Sequence, residues 1–466
     1  MKTQLLKSIS SLLFLAFATS TSVAQTAEKP NGSGTESDPY AIATLNNLYW
    51  LSQTSTEWDK HYRQTADIDA SATSGWDIGD HDSENSTPDS AQGFSPIGNS
   101  SGGGSFQGSY DGQNFKVSGL MINRHPVYGS VGLFGRTESA TIKNLGVTNV
   151  SITGNGSVGG LVGGNVFKPP DPEQYASTVT NCYTTGSVRG RDSIGGLVGF
   201  FNHSSVISKS YSTCSVIGTG ARVGGLVGVN DHAYITDSYA TGSVTGGEKV
   251  GGLVGTNGSS TVSNSYSTGL VSTESDSVGG LFGNGFSAVN NCFWDIETSG
   301  QLTSVGGEGK TTSEMKRTGT FISSGWDFEG ETSNGIENIW DLDMSGVIND
   351  GYPYLWYQDG NATSLDVSDA PVLPDGFVIH QNYPNPFNPT TTILYDLPEA
   401  ATVHLVIYDI LGKQIKTLVN QSQDAGNKIA MWDGTDDLGR QVSAGVYLYQ
   451  IQAGEFSQTR KMLLLK

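Results

Sequence analysis

One short motif, a pentapeptide once and a hexapeptide five times, constrains this chain more than any other feature. It reads Val131-Gly-Leu-Phe-Gly135, Val158-Gly-Gly-Leu-Val-Gly163, Ile194-Gly-Gly-Leu-Val-Gly199, Val223-Gly-Gly-Leu-Val-Gly228, Val250-Gly-Gly-Leu-Val-Gly255 and Val278-Gly-Gly-Leu-Phe-Gly283. Successive starts lie 27, 36, 29, 27 and 28 residues apart. The long interval holds an insertion around Lys168-Pro-Pro-Asp-Pro172, read as a surface loop. A fixed period of this length marks stacked repeats rather than a single closed core.

A second register runs in phase with the first. Tyr183, Tyr211, Tyr239, Tyr266 and Phe293 follow one another at 28, 28, 27 and 27 residues. Before each aromatic sits Cys182, Ser210, Ser238, Ser265 or Cys292. Two of the three cysteines therefore occupy one small-residue slot, four repeats apart. Coils stacked at ~4.8 Å would hold them about 19 Å apart, beyond the ~7 Å reach of a disulfide. Cys214 falls in the slot of Gly186, Gly242 and Gly269. All three thiols read as small packing residues.

Each unit contains three short β-prone runs split by turn residues, such as 238–244, 250–255 and 261–265. Runs so short and polar cannot bury a face alone, whereas stacking on the next unit builds a continuous interior. Leu133, Leu161, Leu197, Leu226, Leu253 and Leu281 would then form one interior ladder. Asn181, Asp237, Asn264 and Asn291 share another position, interrupted by Lys209. The expected fold is mainly β, a parallel β-helix, right-handed by the rule for parallel crossovers.

These motifs resemble the GLUG repeat family of bacterial surface proteins. The lead-in Gly32-Ser-Gly-Thr-Glu-Ser-Asp-Pro-Tyr40, Ala66-Asp-Ile-Asp69 and Phe106-Gln-Gly-Ser-Tyr-Asp-Gly112 fits the same likeness, as does the exit from Cys292-Phe-Trp-Asp295 to Gly351-Tyr-Pro-Tyr-Leu355. The resemblance spans residues 30–357 and implies surface attachment or extracellular interaction, without a ligand or a catalytic residue.

A solenoid must blunt its open ends. Thr44 precedes Leu45, Leu48 and Leu51 at helical spacing, so a short capping helix is expected there. The exit aromatics Trp294, Trp326, Trp340 and Trp356 are expected to close the other end. Beyond a Pro-containing linker the pattern changes to alternating strands such as Ile393, Tyr395, Leu397 and Val403, Leu405, Ile407, which indicate a separate β-sandwich. Its residues Gln381-Asn-Tyr-Pro-Asn-Pro-Phe-Asn-Pro-Thr390, Tyr408-Asp-Ile-Leu-Gly412, Trp432-Asp-Gly-Thr435, Ser443-Ala-Gly-Val-Tyr447 and Lys461-Met-Leu-Leu-Leu-Lys466 resemble the type A sorting domain of the type IX secretion system. That likeness implies an immunoglobulin-like fold and the secretion machinery as a partner. The expected division is a signal peptide over 1–24, lead-in and cap over 25–90, repeats over 91–300, exit cap over 301–357, linker over 358–376 and sorting domain over 377–466.

The first residues point to export. Lys2 and Lys7 precede an apolar run from Leu12 to Ala18, and Ser22-Val23-Ala24 offers a cleavage site before Gln25. No later stretch nears the ~20 apolar residues of a transmembrane helix. Loss of 1–24 would remove two lysines, taking the net charge from −20 to −20 − 2 = −22. With 45 acidic against 25 basic residues, the surface should repel nucleic acid.

Chemistry is sparse. No His-Glu-x-x-His or Cys-x-x-Cys occurs, and the glycines lack a following Lys-Ser/Thr. Asp433, Asp436 and Asp437, and Asp341, Asp343 and Asp350, crowd two turns without calcium-loop order. Within the coils Asp192, Asp231, Asp237, Glu248, Glu274 and Asp276 fall at differing offsets, unlike the convergent carboxylates of a polysaccharide-cleaving site. No catalytic residue, cofactor or metal site is expected; the rival reading is a β-helical lyase or hydrolase. The binding candidate is the row Tyr183, Tyr211, Tyr239 and Tyr266. In a strict strand these rings oppose Val188, Val216 and Val244 and face outward, where they could hold an extracellular glycan or protein; a bend at the intervening glycine would turn them into the core. The composite expectation is an adhesin-like protein, secreted or on the outer-membrane surface.

Overall fold

The computed structural model describes residues 25–76, 91–98, 104–124, 129–165, 176–359 and 377–465, except 203, 286, 287, 332, 336, 344, 380, 381, 383, 384, 388, 390, 424, 425 and 455. The expected signal peptide, the insertion around 168–172 and most of the expected linker lie outside the described residues.

The hexapeptides build two narrow parallel sheets of six strands each. One runs from Ser130–Val131 through Ser157–Gly159, Ile194–Gly195, Ala221–Gly224 and Glu248–Gly251 to Val278–Gly279. The other runs from Phe134–Thr137 through Val162–Asn165, Val198–Asn202, Val227–Asp231 and Val254–Gly258 to Phe282–Gly285. Registers follow the repeat without slippage: Val158 pairs Ile194, which pairs Val223, and onward to Val250 and Val278. The rest of every coil joins one broad sheet of twenty strands. The expected parallel β-solenoid is therefore the fold, and the leucine ladder from Leu133 to Leu281 is fully buried along its axis.

The glycines of the hexapeptide are dictated by space. A Cβ on Gly251 would stand 2.1 Å from the Val254 carbonyl oxygen and 2.6 Å from the Gly283 nitrogen. One on Gly255 would meet the Val223 nitrogen at 2.4 Å. One on Gly225 would strike the Gly252 carbonyl oxygen at 2.2 Å and the Ala240 side chain at 2.9 Å. The coil is so thin between the two narrow sheets that backbone packs on backbone. This also explains why the residue after each ladder tyrosine stays small in Thr184, Ser212, Ala240 and Ser267, which point inward at the hexapeptide glycines, whereas Trp294 after Phe293 fills the last coil against Gly280.

The Asn position has a conformational cause. Asn144, Asn181, Lys209, Asp237, Asn264 and Asn291 all adopt φ between 46° and 54°, the left-handed region that asparagine tolerates best. Their side chains link coils, with Asn181 Nδ2 donating to Asn144 Oδ1 at 3.1 Å and Asn264 Nδ2 to Asp237 Oδ1 at 3.3 Å. The serine slot does the same: Ser238 Oγ accepts from Ser210 N, and Ser265 Oγ from Ser238 N, each at 3.2 Å. Cys182, Cys214 and Cys292 are buried free thiols, and burial pushes them up to about 12, 11 and 12.

At the N-terminal end a helix over Leu45–Gln53 forms as expected, with Thr44 Oγ1 accepting from Asn47 N at 3.2 Å. Leu48 and Leu51 enter the solenoid interior. The C-terminal unit is antiparallel. A three-stranded sheet, Val378–Ile379, Thr391–Leu397 and Gly426–Trp432, accompanies a four-stranded one ordered Gln414–Gln423, Ala401–Asp409, Gly445–Ala453, Phe456–Leu464. The two share one core around Trp432, Tyr395 and Tyr449, a β-sandwich separate from the solenoid.

Candidate functional site

The tyrosine row lies in the broad sheet, in register from coil to coil. Tyr183 pairs Tyr211, then Tyr239, Tyr266 and Phe293. Ring centroids are 4.9, 4.9 and 5.0 Å apart between the four tyrosines, with planes within 2°, 4° and 9°. The left-handed residue two positions earlier sets the parity: Cys182 and Thr184 turn in, and Tyr183 turns out. Val188, Val216 and Val244 are wholly buried, as the strict alternation requires. At its N-terminal end the row meets Gly146 and then Lys116. Tyr183 leans over Gly146, where a Cβ would come within 2.4 Å of its Cζ.

Outward does not mean exposed. Tyr239 and Tyr266 are 1% and 0% accessible, while Tyr183 and Tyr211 are half-buried. The cover is the exit segment, hereafter the strap, residues 311–358. It comprises helices Thr312–Met315 and Thr318–Ile322 and a strand pair, Trp340–Asp341 with Tyr354–Leu355. Trp294 does enter the solenoid interior. Trp326 and Trp340, expected to close the end of the array, instead lie along its flank against the row. Trp340 sits 6.1 Å from Tyr239 and 6.0 Å from Tyr266, and Trp326 sits 6.2 Å from Tyr266. Together with Phe293, Phe321, Phe328 and Tyr352 they form a hydrophobic cluster distinct from the solenoid core.

Side chains fasten this cover. Tyr239 donates its hydroxyl to Gln358 Oε1 at 2.8 Å, and Tyr266 donates to the Pro353 carbonyl while accepting from Asn349 Nδ2 at 2.6 Å. Tyr357 donates to the Lys209 carbonyl at 2.9 Å, and Tyr352 to Asp295 at 2.7 Å. Lys209 Nζ meets exposed Glu337 at 2.7 Å. Burial drives the Tyr239, Tyr266 and Tyr357 phenols well above their ordinary value, so they act as donors throughout the physiological range. Asp237 is buried beneath Trp340, whose Nε1 lies 3.4 Å from its Oδ1, and burial raises its carboxyl above the ordinary range. Sequence reasoning placed Asp237 in the Asn position but had no signal for its covering tryptophan.

Several other coil and turn acids are engaged structurally. Asp192 accepts from Ala221 N at 2.9 Å, and Asp231 pairs with His232 at 2.9 Å. Asp433 holds Thr435 and Lys416; Asp436 holds Arg440 at 2.9 and 2.7 Å; Asp343 holds Ser345 and Ile348. Among the described residues, no three His, Cys, Asp or Glu side chains gather as a metal site.

The motif residues of the C-terminal unit have clear work. Asn385 Oδ1 accepts from Leu463 N at 2.9 Å, and Phe387 exchanges backbone bonds with Leu463 and Leu465 at 3.0 and 2.8 Å. The Asn-Pro-Phe run thus stitches down the final strand. Two like turns, Asp409–Lys413 and Asp436–Arg440, each fold around an aspartate that accepts two backbone N–H bonds at 2.9–3.0 Å. They leave Leu411 and Leu438 88% and 75% exposed.

The chain is 35% identical over 181 residues to Halomucin from Haloquadratum walsbyi, a span of 38% of this chain and only 2% of Halomucin. Among solved structures it is similar to PorZ, a surface component of the type IX secretion system of Porphyromonas gingivalis, at 20% identity over 21% of this chain and 13% of that one, with a TM-score of 0.15. It is similar to latent PorU from the same organism, at 19% identity, 20% and 10% coverage and a TM-score of 0.17. A third is FlgD from P. aeruginosa, at 27% identity, 16% and 58% coverage and a TM-score of 0.14. Residues 154–189 and 219–245 match the GLUG motif and residues 387–455 match the FlgD Ig-like domain, so the chain carries GLUG motifs in its solenoid and an FlgD-type immunoglobulin-like domain near its C-terminus.

Proposed function

We propose that this chain is an exported, non-catalytic interaction protein, adhesin-like, secreted or held at the cell surface, that binds extracellular glycan or protein through its solenoid. The observation that carries this reading is the GLUG-bearing coil itself, in a chain that shares 181 residues at 35% identity with Halomucin. Its interior is a continuous stack of Leu and Val side chains and close backbone, and its broad sheet carries an aromatic row in register from coil to coil. The scatter of Asp192, Asp231 and Asp237 over separate structural roles supports binding without turnover. The C-terminal motif residues, ordered to the last strand, support delivery by type IX secretion.

The test incubates the mature full chain with a panel of polysaccharides and extracellular matrix proteins and reads both retention and new reducing ends. Retention without chain cleavage is the expected result; released ends overturn the reading in favour of a polysaccharide-active enzyme. Deleting residues 377–466 should leave the remainder inside the outer membrane, and export of the truncated chain would remove the secretion role.

A further inference from the structure

The tyrosine row offers no ring face to a ligand, because its rings stack at 4.9–5.0 Å and Tyr183 rests on Gly146. Before each left-handed corner, however, the broad sheet carries a second facet of different make-up. Ile142, Val179, Ile207, Ile235 and Val262 are buried there, so the residues on either side of each point outward. One outward row runs in register from Thr141 through Thr178, Val206, Tyr234 and Thr261 to Ala288. The other runs from Lys143 through Thr180, Ser208, Thr236 and Ser263 to Asn290.

The make-up of this facet selects its ligand. Beyond Lys143, which pairs with Asp111 at 3.3 Å, both rows are free of charge, although the chain carries 45 acidic residues. Charged side chains at the adjoining corners are engaged elsewhere, Lys209 with Glu337 and Asp237 beneath Trp340. Tyr234 is 49% exposed, and among the described residues its ring touches no other ring and its hydroxyl has no protein partner. Around it stand hydroxyls at the coil spacing. Thr180 and Ser208 share one bond at 2.9 Å, and Thr236 donates to Asp237 at 2.7 Å. Those of Thr178, Thr261 and Ser263 bond no described residue.

A pyranose is the complement of such a surface. It has a flat C–H face that packs on an aromatic ring and a rim of hydroxyls that donate and accept. A straight β-1,4-linked chain advances by about one coil per sugar, so the facet, about 24 Å long at ~4.8 Å per rung, spans a hexasaccharide. A protein partner fits it less well. The middle strands are paired on both sides and leave no backbone edge, and Val206 is the one large aliphatic anchor. We propose that this facet binds an extended, uncharged β-1,4-linked glycan along the solenoid axis, with one sugar packed on Tyr234 and its neighbours bonded to the Thr and Ser rows. The proposal rests on the reading of the chain as an extracellular interaction protein and names the ligand class and its site.

The test titrates cellohexaose, xylohexaose and mannohexaose into the mature full chain by calorimetry, beside the retention panel. Saturable binding of at least one hexaose is expected. Tyr234→Ala, at an exposed position, should weaken it at least tenfold, and Tyr234→Phe, which keeps the ring, less than threefold. Thr180→Val with Thr236→Val keeps the branched shape and removes two hydroxyls, for an expected three- to tenfold loss; if that pair fails to fold, the Tyr234 variants decide alone. Absence of hexaose binding overturns the proposal, as does binding indifferent to Tyr234→Ala. Retention of a matrix protein in place of a hexaose, lost in Tyr234→Ala, overturns it in favour of a protein ligand. Panel retention without hexaose binding sinks this proposal alone; absence of both sinks the broader reading with it.

Discussion

The solenoid interior and the strap-covered flank are both apolar and both buried, yet they are held in opposite ways. Inside, Val, Leu and Gly recur with the coil, and every rung is tied to the next by parallel backbone pairing. On the flank, aromatic rings of the strap meet the tyrosine row at mostly tilted angles and through side-chain bonds. Damage to the interior must therefore propagate from coil to coil, as in any array whose stability is a sum of neighbour terms. Damage to the flank should stay local, since opening the strap leaves the ladders intact.

The sharpest way to break this contrast is Gly251→Val. Its branched side chain has backbone on both sides, so a loss of more than about 4 kcal/mol is expected. Urea unfolding followed by tryptophan fluorescence and circular dichroism would show it; a stable variant would mean that the coils are thicker than they look. Trp340→Ala removes a fully buried ring at a cost of about 3–5 kcal/mol. Leu253→Ala should cost about 2–5 kcal/mol. Hydrogen exchange separates the two: Trp340→Ala should deprotect amides of the strap only, and Leu253→Ala those of neighbouring coils. Equal spreading from both would erase the distinction between the regions.

Asp237 supplies a pH arm. Its folded carboxyl titrates above the ordinary 3.8, so the protonated form favours the docked strap. That contribution is complete below pH 3.8 and disappears as pH rises through the raised value. Glu337 runs the other way: Lys209 lowers it, so its contribution is present above the ordinary 4.5 and fades as pH falls through the lowered value. Asp237→Asn, which matches the residue at this position in other coils, should stabilise the strap at pH 7 by roughly 0.5–2 kcal/mol and leave the opposite dependence of the lowered strap carboxylates Glu314, Glu337 and Asp343. Strap exchange rates between pH 3 and 8 would measure both. The smallest effect is reserved for Cys182→Ser and Cys292→Ser. Serine already fills that slot in Ser210, Ser238 and Ser265, so changes below about 1 kcal/mol are expected. The native thiols, held near 11 to 12, should resist a thiol reagent at pH 8 until the chain unfolds.

Much of the architecture was legible because repetition exposes it. The coil period, the leucine ladder, the capping role of Thr44, the shared slot of two cysteines and the separate terminal sandwich each rest on local spacing, and local spacing survives folding. The orientation of the tyrosines was not settled in this way: alternation with Val188, Val216 and Val244 allowed outward rings, and a bend at the intervening glycine allowed buried ones. The reason for the asparagines was less visible: a left-handed backbone at each coil corner, rather than the amide ladder by itself, selects them.

The sequence by itself determined that this chain coils, where each coil turns and that the leucine ladder points in, because those properties depend on residues one coil apart at most. Only the tertiary structure decided what becomes of the rings that point out. Residues 311–358 have no period and no motif that announces a partner, and their bonds to the row tyrosines join positions 83 to 119 residues apart. Alternation along a strand fixes the direction of a side chain; whether water or another segment waits there depends on where a distant, aperiodic stretch of chain finds its best-packed surface.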